Sequence, residues 1–184
     1  MPILGIIASS FRSAAGPEGA YDALATVTLS ASTASITFSG IPSGYKHLQI
    51  RALGRNSTSS NPVFLQYNGD TTTSNYYAHL LYGTGTAAFS VAESSTYSQY
   101  IGYFPDSGKT ANVFGAAVID VLDYQNTNKN KTTRSLCGWD ANGSGFSWFQ
   151  SQLWMNTSAI TSITLKPYSG DFVTYSSFAL YGVK

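Results

Sequence analysis

Charge is scarce in this chain. Of 184 residues, ten are Lys or Arg and nine are Asp or Glu, 10% in all, where about 25% is usual. The net charge of +1 leaves no basic footprint for a phosphate backbone, so nucleic acid is excluded as a partner. Cysteine occurs once, at Cys137, which rules out an internal disulfide. With so few Cys and His there is no clustered zinc ligand set either. Long apolar runs are missing as well. The stretch Ile3–Ala8 is too short and too poorly flanked for a signal peptide or a membrane span. A soluble chain made in a reducing cytoplasm is therefore expected, with no signal peptide and no membrane insertion. Helical periodicity is absent throughout, and the length suits one domain.

Hydroxyls and rings take the place of charge. The chain carries 26 Ser, 19 Thr, 13 Tyr, 10 Phe and 17 Gly. Branched and aromatic side chains suit a pleated surface, and glycine suits tight turns. Residues 1–19 stand apart: a β-prone run from Pro2 to Ala8, a polar tether, then the breaker cluster Gly16-Pro17-Glu18-Gly19. This segment reads as an extended N-terminal arm with an unprotected strand edge. It either folds back on its own domain, as an edge strand, or docks on a neighbour through Ile3, Leu4, Ile6 and Ile7.

Residues 20–184 read as a run of short strands with turns between them. Lys46–Ala52 alternates cleanly, with Leu48, Ile50 and Ala52 on one face and His47, Gln49 and Arg51 on the other. Asn68-Gly69-Asp70 and Asn142-Gly143-Ser144-Gly145 are turn signals, since Asn and Gly tolerate positive φ. Val113–Leu122 is apolar on both faces over most of its length, the pattern of a strand buried between two layers. Further strands fall within 63–67, 76–82, 87–91, 132–139, 147–155, 160–165 and 172–183. Ten or so strands without an internal repeat predict an all-β, antiparallel β-sandwich of jelly-roll type, with a closed barrel as the alternative. Sticky, weakly charged edges of this kind are commonly hidden by association of identical copies.

Catalytic motifs are lacking. Neither histidine sits in a recognisable nucleophile–base arrangement, and Gly143-Ser144-Gly145 lacks the spacing of a nucleophile turn. Gly83-Thr84-Gly85 is no phosphate loop. Asn68–Thr71 and Asp120–Asp123 do not match a calcium loop, so no metal and no cofactor is expected. Four glycosylation sequons, at Asn56, Asn130, Asn142 and Asn156, are near what chance gives in so Ser- and Thr-rich a chain. One feature has a binding flavour. Trp139, Phe146, Trp148, Phe149 and Trp154 fall within sixteen residues, and Tyr76, Tyr77 and Tyr82 lie elsewhere. Trp139, Trp148, Trp154, Tyr76 and Tyr77 are the candidates for a glycan platform or an interface, and core packing is the competing role. In the segment Phe146–Met155, Trp148 and Trp154 share one strand face, while Phe149, Leu153 and Met155 share the other.

Five segments, in this order, resemble a group of small tailed-bacteriophage virion proteins. They are Met1–Ser10, Phe38–Arg51, Tyr67-Asn68-Gly69-Asp70, Val118–Tyr124 and Phe178–Lys184. Together they span nearly the whole chain. The resemblance implies a structural, non-enzymatic component of the virion, of the tail-fibre, minor-tail or head-surface type, with no catalytic residues to carry over. On that basis the arm is expected to anchor the protein to other virion proteins, and the sandwich to be displayed toward host surface glycan. A homotrimer is the expected state. Capsid decoration and a free carbohydrate-binding module are the alternatives.

Overall fold

The structure, a computed structural model, describes residues 19–60, 62–94 and 99–184. The arm expected over 1–19, with Ile3, Leu4, Ile6 and Ile7, lies outside these residues except for Gly19. The described chain is an all-β antiparallel sandwich. Its strands in order are β1 (Tyr21–Thr28), β2 (Ile36–Phe38), β3 (His47–Gly54), β4 (Pro62–Tyr67), β5 (Tyr76–Gly83), β6 (Ala88–Glu93), β7 (Tyr100–Tyr103), β8 (Gly115–Leu122), β9 (Lys131–Asp140), β10 (Gly145–Trp154), β11 (Ile163–Pro167) and β12 (Ser177–Val183). A 3-10 turn, Thr73–Asn75, precedes β5.

Two sheets of unequal size form the layers. The larger has eight strands in the order β1-β12-β3-β8-β9-β10-β5-β6, and the smaller has four, β2-β11-β4-β7. Local chemistry sets the reversals. Ala141 N–H donates to the Ser144 carbonyl across Asn142 and Gly143, both at positive φ (58° and 104°). That mirror-image turn matches the twist of the β9–β10 hairpin. Asn68 and Gly69 turn the chain in the same way after β4 (φ 51° and 71°). The Asp70 carboxylate then braces the turn by accepting from Trp154 Nε1 (2.8 Å), Asn75 Nδ2 (2.8 Å) and the Thr72 N–H (2.9 Å). Burial pushes the Asp70 carboxyl up, but these donors together outweigh it and hold the group below its ordinary range.

The core lies between the sheets. Leu48, Ile50, Ile119 and Val121 of the large sheet meet Val63, Leu65, Tyr67, Ile163 and Leu165 of the small one, all at or near zero exposure. Polar side chains share this layer, several of them hydrogen-bonded. Gln150 donates through Nε2 to the Tyr100 carbonyl and accepts through Oε1 from Trp148 Nε1. Lys131, fully buried, points its ammonium at the carbonyls of Asn126 (2.6 Å), Lys129 (3.1 Å) and Thr157 (2.9 Å). Burial lowers its pKa, because the charged form is the one desolvated. Tyr67 shares a hydrogen bond with Thr133 across the layers.

Strand β8 departs from the expectation for Val113–Leu122. Gly115, Ala117, Ile119 and Val121 are buried, whereas Ala116 and Val118 face outward and are exposed. The small sheet covers one face of the large sheet only, so the apolar residues of opposite parity stand uncovered.

Candidate functional site

The outward face of the large sheet is the most unusual surface among the described residues. Continuous register across six strands sets its side chains in rows. The first row runs Leu53, Ala116, Gly138, Ser147, Gly83, Ala88. The second runs Arg51, Val118, Leu136, Phe149, Leu81, Ser90, and the third Gln49, Asp120, Arg134, Ser151, His79, Ala92. In the second row four large apolar side chains stand side by side. Leu136 is 60% exposed, Leu81 56%, Phe149 44% and Val118 39%. Beside this ridge the first row is nearly all Ala, Gly and Ser, and it forms a trough. A groove of about 490 Å³ opens at one end, over Gly83, Ser147 and Ala88 and against Leu81, Leu136 and Phe149. A second, of about 300 Å³, opens at the other, over Ala116 beside Leu53 and Val118. The third row is a polar rim. Arg51 closes the ridge at the β12 side: its guanidinium lies 5.3 Å and 4.9 Å from the ring centres of Tyr21 and Tyr181, and its Nε donates to Gln49, which donates to Asp120.

A second feature lies on the inner face, where β5 and β6 run past the edge of the small sheet. There Tyr82 stacks on Phe89 (4.7 Å between ring centres) and on Phe146 (5.3 Å), and Tyr103 stacks on Phe146 (4.6 Å). A recess of about 340 Å³ is lined by Tyr82, Tyr100, Tyr103, Trp148, Leu80, Val91 and Glu93.

The residues singled out from sequence do not meet in one place. Trp154 and Tyr76 are core residues: Tyr76 stacks with Tyr67 and with Trp154, and Trp154 lies tilted against Tyr67. Trp148 is buried beneath the aromatic stack. Trp139 is half-buried, with the Lys109 ammonium 5.5 Å from its ring centre. Tyr77 alone of the five faces outward and is exposed, opposite Leu153. No protein-family model, curated protein or solved structure matches this chain.

The reactive side chains are held in structural roles. Cys137 is buried, its Sγ donates to the Tyr103 carbonyl (3.1 Å), and burial pushes its thiol up to about 12. A thiol held protonated is a poor nucleophile. His47 Nδ1 accepts the Asp123 N–H (2.9 Å), so this nitrogen is engaged in bracing a turn. His79 stands on the outer face between Ser151 and Ala92, with no carboxylate as its register partner to orient the ring. Among the described residues no three His, Cys, Asp or Glu gather closely enough to hold a metal ion.

Sequence reasoning missed the ridge itself. Leu136, Val118 and Leu81 are ordinary strand residues, and only their alignment across four strands makes a surface. The one available signal was the parity of β10, which sets Phe149, Leu153 and Met155 against Trp148 and Trp154.

Proposed function

We propose that this chain is a non-enzymatic structural component of a tailed-bacteriophage particle, a tail fibre or tail appendage that works by packing against other protein. The observation that carries this reading is the uncovered apolar ridge on the outward face of the large sheet. Contiguous apolar surface of this kind marks an interaction site on a soluble protein. The segmental resemblance to small virion proteins supplies the particle, and the arm over residues 1–19 supplies the attachment. Main-chain hydrogen bonds of an added strand would hold the arm, and Ile3, Leu4, Ile6 and Ile7 would fill pockets along a neighbour's sheet edge. Deleting residues 1–12 tests the attachment: purified particles are expected to lack the truncated protein, and incorporation at normal stoichiometry would refute it. Capsid decoration differs from this reading only in location, and labelled particle images separate the two.

A second reading, binding of host surface glycan, is favoured by the aromatic recess. Sugar rings pack on flat aromatic faces, and a carboxylate such as Glu93 accepts hydrogen bonds from their hydroxyls. Glu93→Gln is expected to abolish binding to a glycan array without changing the fold. An unbound array with the native protein would remove this reading and leave the first intact.

A further inference from the structure

We propose that a second copy of this chain packs on the outward face of the large sheet, related to the first by a two-fold axis that runs along the rows, midway between ridge and trough. The face is complementary to itself. Ridge and trough are parallel, equally long, and two residues apart along each strand, about 7 Å. A two-fold rotation about a line between them turns the face over and lays each ridge into the other copy's trough. Column by column, Val118 of one copy meets Ala116 of the other, Leu136 meets Gly138, Phe149 meets Ser147, and Leu81 meets Gly83. Large meets small at each of the four central strands, twice over; at the ends Arg51 meets Leu53 and Ser90 meets Ala88. The contact is isologous and closes on itself, as a two-fold interface must.

Area and polarity point the same way. Six strands at a spacing of about 4.8 Å, and a band reaching about 10 Å to either side of the axis, give a footprint of roughly 30 by 20 Å. That is on the order of 600 Å² in projection, close to the ~800 Å² each partner of a stable pair covers. Ridge and trough contain no charge except Arg51 at the end, and Asp120 and Arg134 stand in the third row, at the rim. An apolar centre with a polar rim is the ordinary anatomy of a protein interface. Two sheets meeting this way keep their strands within about 30° of alignment, the packing of a sandwich layer. The inference uses the face that supports the virion reading but does not depend on it: a pair can form in solution whether or not the protein enters particles.

Sedimentation of the full chain over a range of concentrations tests the proposal. The expected species has twice the 19.7 kDa chain mass. Leu136→Lys places a charge on the ridge and is expected to raise the dissociation constant by about 100-fold or more, while circular dichroism stays unchanged because Leu136 lies at the surface. Ser147→Leu is the sharper test. It adds apolar surface but fills the trough that Phe149 of the other copy needs, so it is expected to weaken the pair by about tenfold or more. General stickiness predicts the opposite, a tighter association. A monomer at the highest concentration, a trimer, or tightening by Ser147→Leu overturns the proposal; if Leu136→Lys does not fold, Ser147→Leu decides alone.

Discussion

Alkaline pH probes the core directly, through Tyr67 and Tyr76. Both side chains are fully buried, and both hydroxyls are committed: Tyr67 to Thr133, Tyr76 to the Asp70 carbonyl and the Tyr67 N–H. Burial raises the pKa of each well above its ordinary value of 10.0, because a phenolate would have to form without water. In the unfolded chain both ionise near pH 10. The stability that their neutral state contributes is therefore fully present below pH 10 and is lost as pH rises above it. Each group costs about 1.4 kcal/mol per pH unit beyond that point, so the pair removes about 2.8 kcal/mol at pH 11. For a chain of this size that lowers the melting temperature by roughly 6–11 °C. Thermal melts of the native protein and Tyr67→Phe between pH 8 and 11, at fixed ionic strength, isolate the effect. Tyr67→Phe removes one of the two ionising groups, so its loss between pH 8 and 11 is expected to be smaller by about 1.4 kcal/mol. Cys137 and the other tyrosines are common to both proteins and cancel. Equal losses in the two proteins would show that Tyr67 ionises inside the fold, and the burial argument would fail.

Neighbouring residues of β8 give a second test. Ile119→Ala empties a buried position and is expected to cost about 2–5 kcal/mol in urea melts. Val118→Ala, one residue away on the outward face, is expected to stay within about 0.5 kcal/mol when measured at low protein concentration. Comparable costs would mean that both faces of the strand are covered. Lys131→Met takes a charged donor from three carbonyls and is expected to lower stability by about 2–4 kcal/mol; an unchanged midpoint would mean the carbonyl cage is dispensable. Cys137 should resist thiol reagents at pH 8 until the chain unfolds, since a thiol raised to about 12 holds almost no thiolate. Rapid native labelling would refute its burial.

Much of the strand pattern was legible because period-two alternation is a local property. Lys46–Ala52 sorts its side chains as the alternation requires, and the two Asn-Gly turns sit where Asn and Gly adopt positive φ. Strand β7 was not legible. It is four residues long and interrupted by Gly102, which holds φ at 146° with no room for a Cβ against Cys137, so its β-prone tyrosines and isoleucine form too short a run to show alternation. Sheet order was equally hidden, because β3 takes its partners from β8 and β12, far along the chain. Val113–Leu122 shows how the same residues can mislead. Apolar side chains of both parities mean two covered faces only if a second layer exists on each side, and whether it exists is a property of the assembled sheets. The tryptophans carry the same lesson: spacing placed Trp148 and Trp154 on one face of β10 but could not say which face the small sheet would cover.

The place of β12 between β1 and β3 sets a condition on biosynthesis. Of the strands in this sheet β1 is made first, and its hydrogen-bonding neighbour, Ser177–Val183, is made last. At 5–20 residues per second, roughly 8–30 s separate the two. Throughout that interval β1 and one side of β3 stand as open templates on a growing chain. The large sheet is thus sealed only after translation has passed β12.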